Sequence, residues 1–149
     1  MNIRSYFIKD RVKNKFDVFN RLVVYLEKQQ MITNEHQVMR GLIDREEQGS
    51  TGMTKGIAIP HVNSVYVVKP TIMYIRLDHG IDWESIDKEP VHHIFALLST
   101  KNIKEQTHLE MLSKIAELLM DNEFILSIKN ASSEIEVVKI INNDLGGFK

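Results

Sequence analysis

The sequence predicts an α/β fold: a mixed β-sheet flanked by helices on both faces, as a single domain over residues 1–149. Three observations predict it. The periodicities run strand, two helices, several strands, then helices, the order of a layered α/β unit rather than of a bundle or a sandwich. Val91 to Leu98 is a near-continuous apolar run, broken only by His92-His93, as suits a strand buried on both faces. With 149 residues, 43% of them hydrophobic, the chain can bury one sizeable core, and it contains no repeat, low-complexity tract or linker that would divide it.

Each element has its own warrant. Ser5 to Ile8 reads as a first strand. Val12, Phe16, Phe19, Val23 and Leu26 recur at three- and four-residue steps and predict an amphipathic helix over about 13–29. Thr33 is the expected N-cap of a second helix, with Glu35 in its first turn, Val38 and Leu42 on its buried stripe and Gly49 as its stop. Arg45 falls seven residues after Val38 and three after Leu42, hence on the buried side at the helix end. It can cover its own helix's last carbonyls or face a functional group. Residues 50–55 form a loop rich in Ser, Thr and Gly, in which Thr51 can donate to a bound oxyanion or cap a turn. Lys55 reads as a solvated charge.

Gly56-Ile57-Ala58-Ile59 then makes a short buried strand, which Pro60 should stop for want of an N–H. His61 is thereby presented at the carboxyl end of a strand, where α/β sheets gather ligands and chemistry. Val65 to Val68 reads as a short strand and Thr71 to Leu77 as a longer one. Asp78-His79-Gly80 reads as a turn, and Trp83 as packing over the sheet edge from the loop 80–90. His92 and His93 are adjacent on a strand, so they face opposite sides and cannot easily share a metal ion. One of them facing inward and hydrogen-bonded is the expected case. His36 and His79 are expected at the surface.

Thr107-His108-Leu109-Glu110 has the form of a capping box, with Asn102 and Glu105 as a rival start one turn earlier. Leu109, Leu112, Ala116 and Leu119 are the expected buried face. His108 then lies in the first helical turn, where free N–H groups favour an anion; it caps its own helix or joins a site. A short helix or turn near 123–129 is followed by a last helix starting at Ser133, with Ile135, Val138, Ile141 and Leu145 inward and Gly146-Gly147 as its end.

Composition excludes several classes. The net charge of −1 offers no global attraction to nucleic acid or an anionic membrane. No apolar run approaches a bilayer span, and Met1 to Asp10 lacks the apolar segment of a signal peptide, so cytoplasmic residence without membrane insertion is expected. The absence of cysteine excludes disulfides, thiol catalysis and cysteine-based metal sites.

The combination Arg45-Glu46, Thr51-Gly52, Gly56-Ile57-Ala58-Ile59-Pro60-His61 and His108-Leu109, sixteen and forty-seven residues on either side of His61, resembles the enzyme IIA domain of the fructose/mannitol class (type 2) of the bacterial sugar phosphotransferase system. The likeness covers almost the whole chain. It departs at Val62-Asn63, where many relatives place a small residue after the histidine. The resemblance implies a phosphoryl carrier. His61 would be phosphorylated by the phosphocarrier HPr and would pass the group to a cysteine of a IIB domain, which must be another chain since this one has none. Arg45 and His108 would stabilise the phosphoryl group, with Thr51 as a further candidate donor. It implies no cofactor and no metal, and the sequence has no Walker-type phosphate loop. Val62, Met53 and Met111 are candidate rim residues for the visiting partners, or core. The same resemblance admits a nitrogen-regulation-type IIA whose phosphorylation state controls other proteins. A metal-dependent hydrolase using His61, His108 and a carboxylate lacks tight ligand spacing such as H-E-x-x-H, and an interaction domain would leave the pattern coincidental.

Overall fold

The computed structural model describes residues 2–102 and 104–145. The elements in chain order are β1 (Asn2–Ile8), α1 (Lys15–Lys28), α2 (Glu35–Gln48), β2 (Ile57–Ala58), β3 (His61–Asn63), β4 (Thr71–Ile81), β5 (Val91–Ser99), α3 (Glu105–Leu119), α4 (Asn122–Asn130) and α5 (Glu134–Leu145). They form a five-stranded sheet in the order β1-β4-β5-β2, with β3 also on β5. β1 is parallel to β4, β4 is antiparallel to β5, and β2 and β3 are parallel to β5. The sheet is mixed, as predicted.

Alternation along the strands builds two cores. Met73, Ile75, Ile94, Ala96 and Leu98 face the helices α1 and α2, whose Val18, Leu22, Leu26, Val38 and Leu42 complete that layer. Ile72, Tyr74, Phe95 and Leu97 face the other way, onto Met111, Ile115, Phe124, Ile128, Val137 and Ile141 of α3, α4 and α5. Both faces of the sheet are therefore covered.

Several local expectations change. Asn34, not Thr33, caps α2, its side chain accepting from the Gln37 N–H; the Thr33 hydroxyl turns instead to the Tyr66 carbonyl. Pro60 interrupts the edge strand without ending it. Its carbonyl accepts the Leu97 N–H, and pairing with β5 resumes at His61. Val65 to Val68 forms a turn with one isolated bridge, Ile32 to Val67, rather than a strand. Asp78-His79-Gly80 lies inside β4, because an irregularity between Arg76 and Ile81 absorbs these residues without reversing the chain. Trp83 is no edge lid: it is fully buried, packed edge-on to Phe19.

The later helices keep their existence and lose their predicted phase. α3 begins at Glu105 with Lys104 as N-cap and no side-chain cap bond, so Thr107 is already helical. The buried stripe is Met111, Ile115 and Leu118, leaving Leu109 and Ala116 exposed. In α5 the Ser133 hydroxyl accepts the Glu136 N–H at 3.2 Å, as a cap should. The inward residues are Val137, Ile141 and Leu145, while Ile135 is exposed. The Gly146-Gly147 stop lies outside the described residues.

Candidate active site

His61 opens β3 at the edge of the sheet. Its register partner on β5 is Leu97, so its side chain shares a face with Leu97 and Ser99, the face covered by α3. Val62, next in line, points to the opposite core and seats against Gly41 of α2. That contact draws α2 against the edge strand and brings Arg45, in its last turn, to the imidazole.

Both ring nitrogens of His61 have partners. Nδ1 lies 3.0 Å from the Ile59 carbonyl oxygen, and Arg45 Nε donates to Nε2 at 3.2 Å. A carbonyl only accepts and a guanidinium only donates, so the two bonds together select the tautomer with the proton on Nδ1 and the lone pair on Nε2. Burial holds the His61 pKa below the ordinary histidine value; the Arg45 charge acts in the same direction, against opposing contributions from the Ile59 carbonyl and Glu46. The ring is thus neutral at neutral pH, half-buried, with its unprotonated nitrogen beside a permanent cation.

Arg45 fulfils both readings of its position. Nε reaches His61, while Nη1 donates to the Gly49 carbonyl at 2.8 Å and so covers the end of its own helix. His108 is also on the α3 face. Its Nδ1 is hydrogen-bonded to the Ser99 hydroxyl, and Ser99 is fully buried two residues beyond the register partner of His61. By strand spacing the Cα of Ser99 lies roughly 8 Å from that of His61. His108 occupies the first turn of α3, the positive end of that helix.

Thr51 is placed differently. Its side chain is buried and its hydroxyl bonds the Glu46 carboxylate, while Trp83 Nε1 donates to the same hydroxyl at 3.1 Å. The hydroxyl is committed to the core, so a direct role on a phosphoryl oxygen is not what this geometry offers. Its main chain does touch the site, because the Ile59 N–H donates to the Thr51 carbonyl at 3.0 Å. Lys55 is exposed, its Nζ on Asn122 Oδ1. Of the candidate rim residues only Met53 is exposed; Val62 and Met111 are core. Met53, Ile57, Ile59, Ala116, Leu119 and Met120 line an apolar groove of about 360 Å3 beside the Ile59 end of the site.

His92 and His93 do face opposite ways. His92 Nδ1 is 3.0 Å from the Leu77 carbonyl and His93 Nδ1 is 2.6 Å from the Tyr74 hydroxyl. His36 is exposed and His79 half-buried. Among the described residues there is no group of three or more His, Asp or Glu placed to hold a metal ion, and no helix is long and apolar enough to cross a membrane.

Sequence reasoning assigned no role to three neighbours of the site: the Ile59 carbonyl, Ser99 and Glu46. For Glu46 the signal was present, since it continues the buried stripe of α2 at four-residue steps after Val38 and Leu42.

Comparison with known proteins shows the family of the chain. The chain is 36% identical over 130 residues to the fructose-specific EIIABC component of the phosphotransferase system of Bacillus subtilis, covering 87% of this chain and about a fifth of that much longer relative. Among solved structures it resembles the nitrogen regulatory protein IIA-Ntr of Neisseria meningitidis, with a TM-score of 0.81 and 31% identity over 92% of each chain. It has the same fold as the enzyme IIA of the Escherichia coli mannitol system, seen in complex with phosphorylated enzyme IIB, with a TM-score of 0.70 and 17% identity over 91% of this chain and 92% of that one. Residues 1–144 match the family described as the phosphoenolpyruvate-dependent sugar phosphotransferase system, EIIA 2, and the chain belongs to that family.

Proposed function

We propose that the protein is a phosphoryl carrier in which Nε2 of His61 accepts a phosphoryl group from phosphorylated HPr and passes it to a cysteine on a separate IIB domain. The observation that carries this reading is the double restraint on His61, with Arg45 Nε on Nε2 and the Ile59 carbonyl on Nδ1. Once the Arg45 N–H turns from Nε2 to the incoming phosphoryl oxygens, the freed Nε2 lone pair forms the new N–P bond as the donor's N–P bond breaks and its electron pair returns to the donor imidazole. His61 keeps its Nδ1 proton, so the phosphorylated ring is cationic. The Ile59 carbonyl stabilises that ring, and the retained proton lets it leave as a neutral imidazole when a thiolate attacks phosphorus. The in-line transfer needs alignment and charge neutralisation more than covalent help. Arg45 supplies a planar cation beside the bond being made, and His108 with the first turn of α3 supplies donors for the equatorial oxygens. No cofactor or metal is required.

Partners must reach a half-buried ring at a sheet edge, and the apolar groove next to Ile59, with Met53 and Met120 exposed on it, offers them adaptable contact area. A cytoplasmic location follows from such partners.

The regulatory reading rests on a specific observation as well: nitrogen regulatory proteins are also matched by sequence, that of Bradyrhizobium diazoefficiens at 35% identity over 70% of this chain and 67% of its own length. Incubation with phosphorylated HPr, location of the modified residue, and addition of fructose- and mannitol-class IIB domains test both. Label on His61 that moves to a IIB cysteine supports transport. Label that stays on His61 whichever IIB domain is supplied supports regulation.

A further inference from the structure

Beneath the site, the Glu46 carboxylate is buried, its side chain only 1% exposed. It accepts from Lys15 Nζ at 3.1 Å, from the Thr51 N–H at 3.2 and 3.3 Å, from the Thr51 hydroxyl, and from Trp83 Nε1 at 3.4 Å. Lys15, itself buried, starts α1 and also reaches Glu84 at 3.2 Å and the Trp83 carbonyl at 3.5 Å. A carboxylate so placed ties α1, the end of α2, the loop after α2 and the segment around Trp83 to one point.

Both restraints on His61 lead back to that point. Arg45 precedes Glu46 in the last turn of α2, so fixing the Glu46 side chain fixes the turn from which Arg45 reaches Nε2. The other route is a chain of bonds. Glu46 holds Thr51, the Thr51 carbonyl holds the Ile59 N–H at 3.0 Å, and the Ile59 carbonyl holds Nδ1 of His61 at 3.0 Å. We infer that Glu46, paired with Lys15, is a positioning residue that sets the orientation and tautomer of His61 from both sides of the ring without touching the phosphoryl group. This rests on the carrier reading for its kinetic consequence but not for its geometry. Burying a charge pair is costly, and removing one partner leaves the other uncompensated, so an ion pair at this place has a cost to stability that a positioning role accounts for.

The test uses the full chain and three variants: Glu46→Gln, Lys15→Met, and the double variant. Glu46→Gln keeps the size and one acceptor; the double variant removes the buried charge altogether, so that folding survives if the single changes impair it. Two quantities are read: the single-turnover rate of phosphorylation by phosphorylated HPr against donor concentration, and the 15N–1H pattern that reports the tautomer of His61. In Glu46→Gln and in the double variant we expect a maximal rate lower by about tenfold or more, unchanged half-saturation by the donor, and a His61 pattern no longer that of a single Nδ1–H tautomer. A folded double variant with the wild-type rate and tautomer would overturn the inference, because the pair would then be serving the core alone. Failure of the wild type to accept the group would instead remove the carrier reading, and the tautomer comparison would still decide the role of Glu46.

Discussion

Arg45 of α2 and His61 of β3 are joined by a hydrogen bond of 3.2 Å from Nε to Nε2, while the same guanidinium closes its own helix on the Gly49 carbonyl at 2.8 Å. One side chain therefore couples the end of a helix to Nε2 of His61. A lysine has a single compact charge and cannot make both contacts in fixed geometry. Arg45→Lys should fold normally and lose about 10–100-fold in the maximal rate of phosphorylation. Single-turnover labelling alongside circular dichroism checks both halves of that expectation.

His108 shares the α3 side of the sheet with His61 and is held there by Ser99. His108→Ala should still accept the phosphoryl group at His61, with a rate reduced by about tenfold and slower transfer onward. Because Ser99 is fully buried and its hydroxyl is on His108 Nδ1, Ser99→Ala should reproduce part of that loss. Quench-flow measurement of both variants, with the modified residue located by mass spectrometry, separates slower labelling from labelling elsewhere.

Gly41 marks a close contact between α2 and the strand that carries His61. A Cβ there would lie 2.5 Å from Val62 Cγ2, and Val62 is buried. Gly41→Ala should destabilise the fold by about 1–3 kcal/mol and slow phosphorylation by pushing β3 away from Arg45. Adding Val62→Ala should recover part of both. Urea denaturation midpoints and labelling rates of the single and double variants form the necessary cycle.

Acid should weaken the fold through His93. Arg76 Nε donates to the Tyr74 hydroxyl, which leaves that hydroxyl's proton for His93 Nδ1 and favours the neutral ring. Burial, reinforced by the charges of Lys129, Arg76 and His92, lowers the His93 pKa from 6.5 to about 4. The unfolded chain therefore binds a proton that the folded chain refuses between those values. Stability attributable to His93 is intact above about pH 6.5, declines as pH falls toward 4, and levels off below. The loss is on the order of 3 kcal/mol. Burial lowers the His61 pKa as well, so it adds in the same direction as the pH falls. Denaturation curves at pH 7 and pH 4.5 should show a smaller pH-dependent loss in His93→Gln than in the wild type.

The sheet and its cover were legible because they rest on long patterns. Val91 to Leu98 had the continuous apolar run of a central strand, and Val38, Leu42 and Arg45 had the helical spacing that delivers Arg45 to the site. What misled were short local signals. Thr107 to Glu110 has the composition of a capping box, yet the N-cap is Lys104, three residues earlier, and packing against the sheet buries Met111, Ile115 and Leu118 while leaving Leu109 exposed. Pro60 cannot donate to a ladder, but its carbonyl still accepts the Leu97 N–H, so β3 resumes beyond it. Asp78-His79-Gly80 has turn chemistry, and pairing of Ile81 with Val91 carries the strand through it. In each case contacts distant in sequence outweighed a four-residue preference. Thr51 is the instructive case at the site. Its spacing from His61 was meaningful, but its hydroxyl serves Glu46, a partner that becomes visible only once α2 and the loop are packed.

The central claim is that Nε2 of His61 forms the bond to phosphorus. Phosphorylating 15N-histidine-labelled protein with phosphorylated HPr and reading the 31P–15N coupling tests it directly. Coupling to Nε2 of His61, with Nδ1 still protonated and no label in His61→Ala, is the predicted result. Coupling to Nδ1, or normal labelling of His61→Ala, would contradict it.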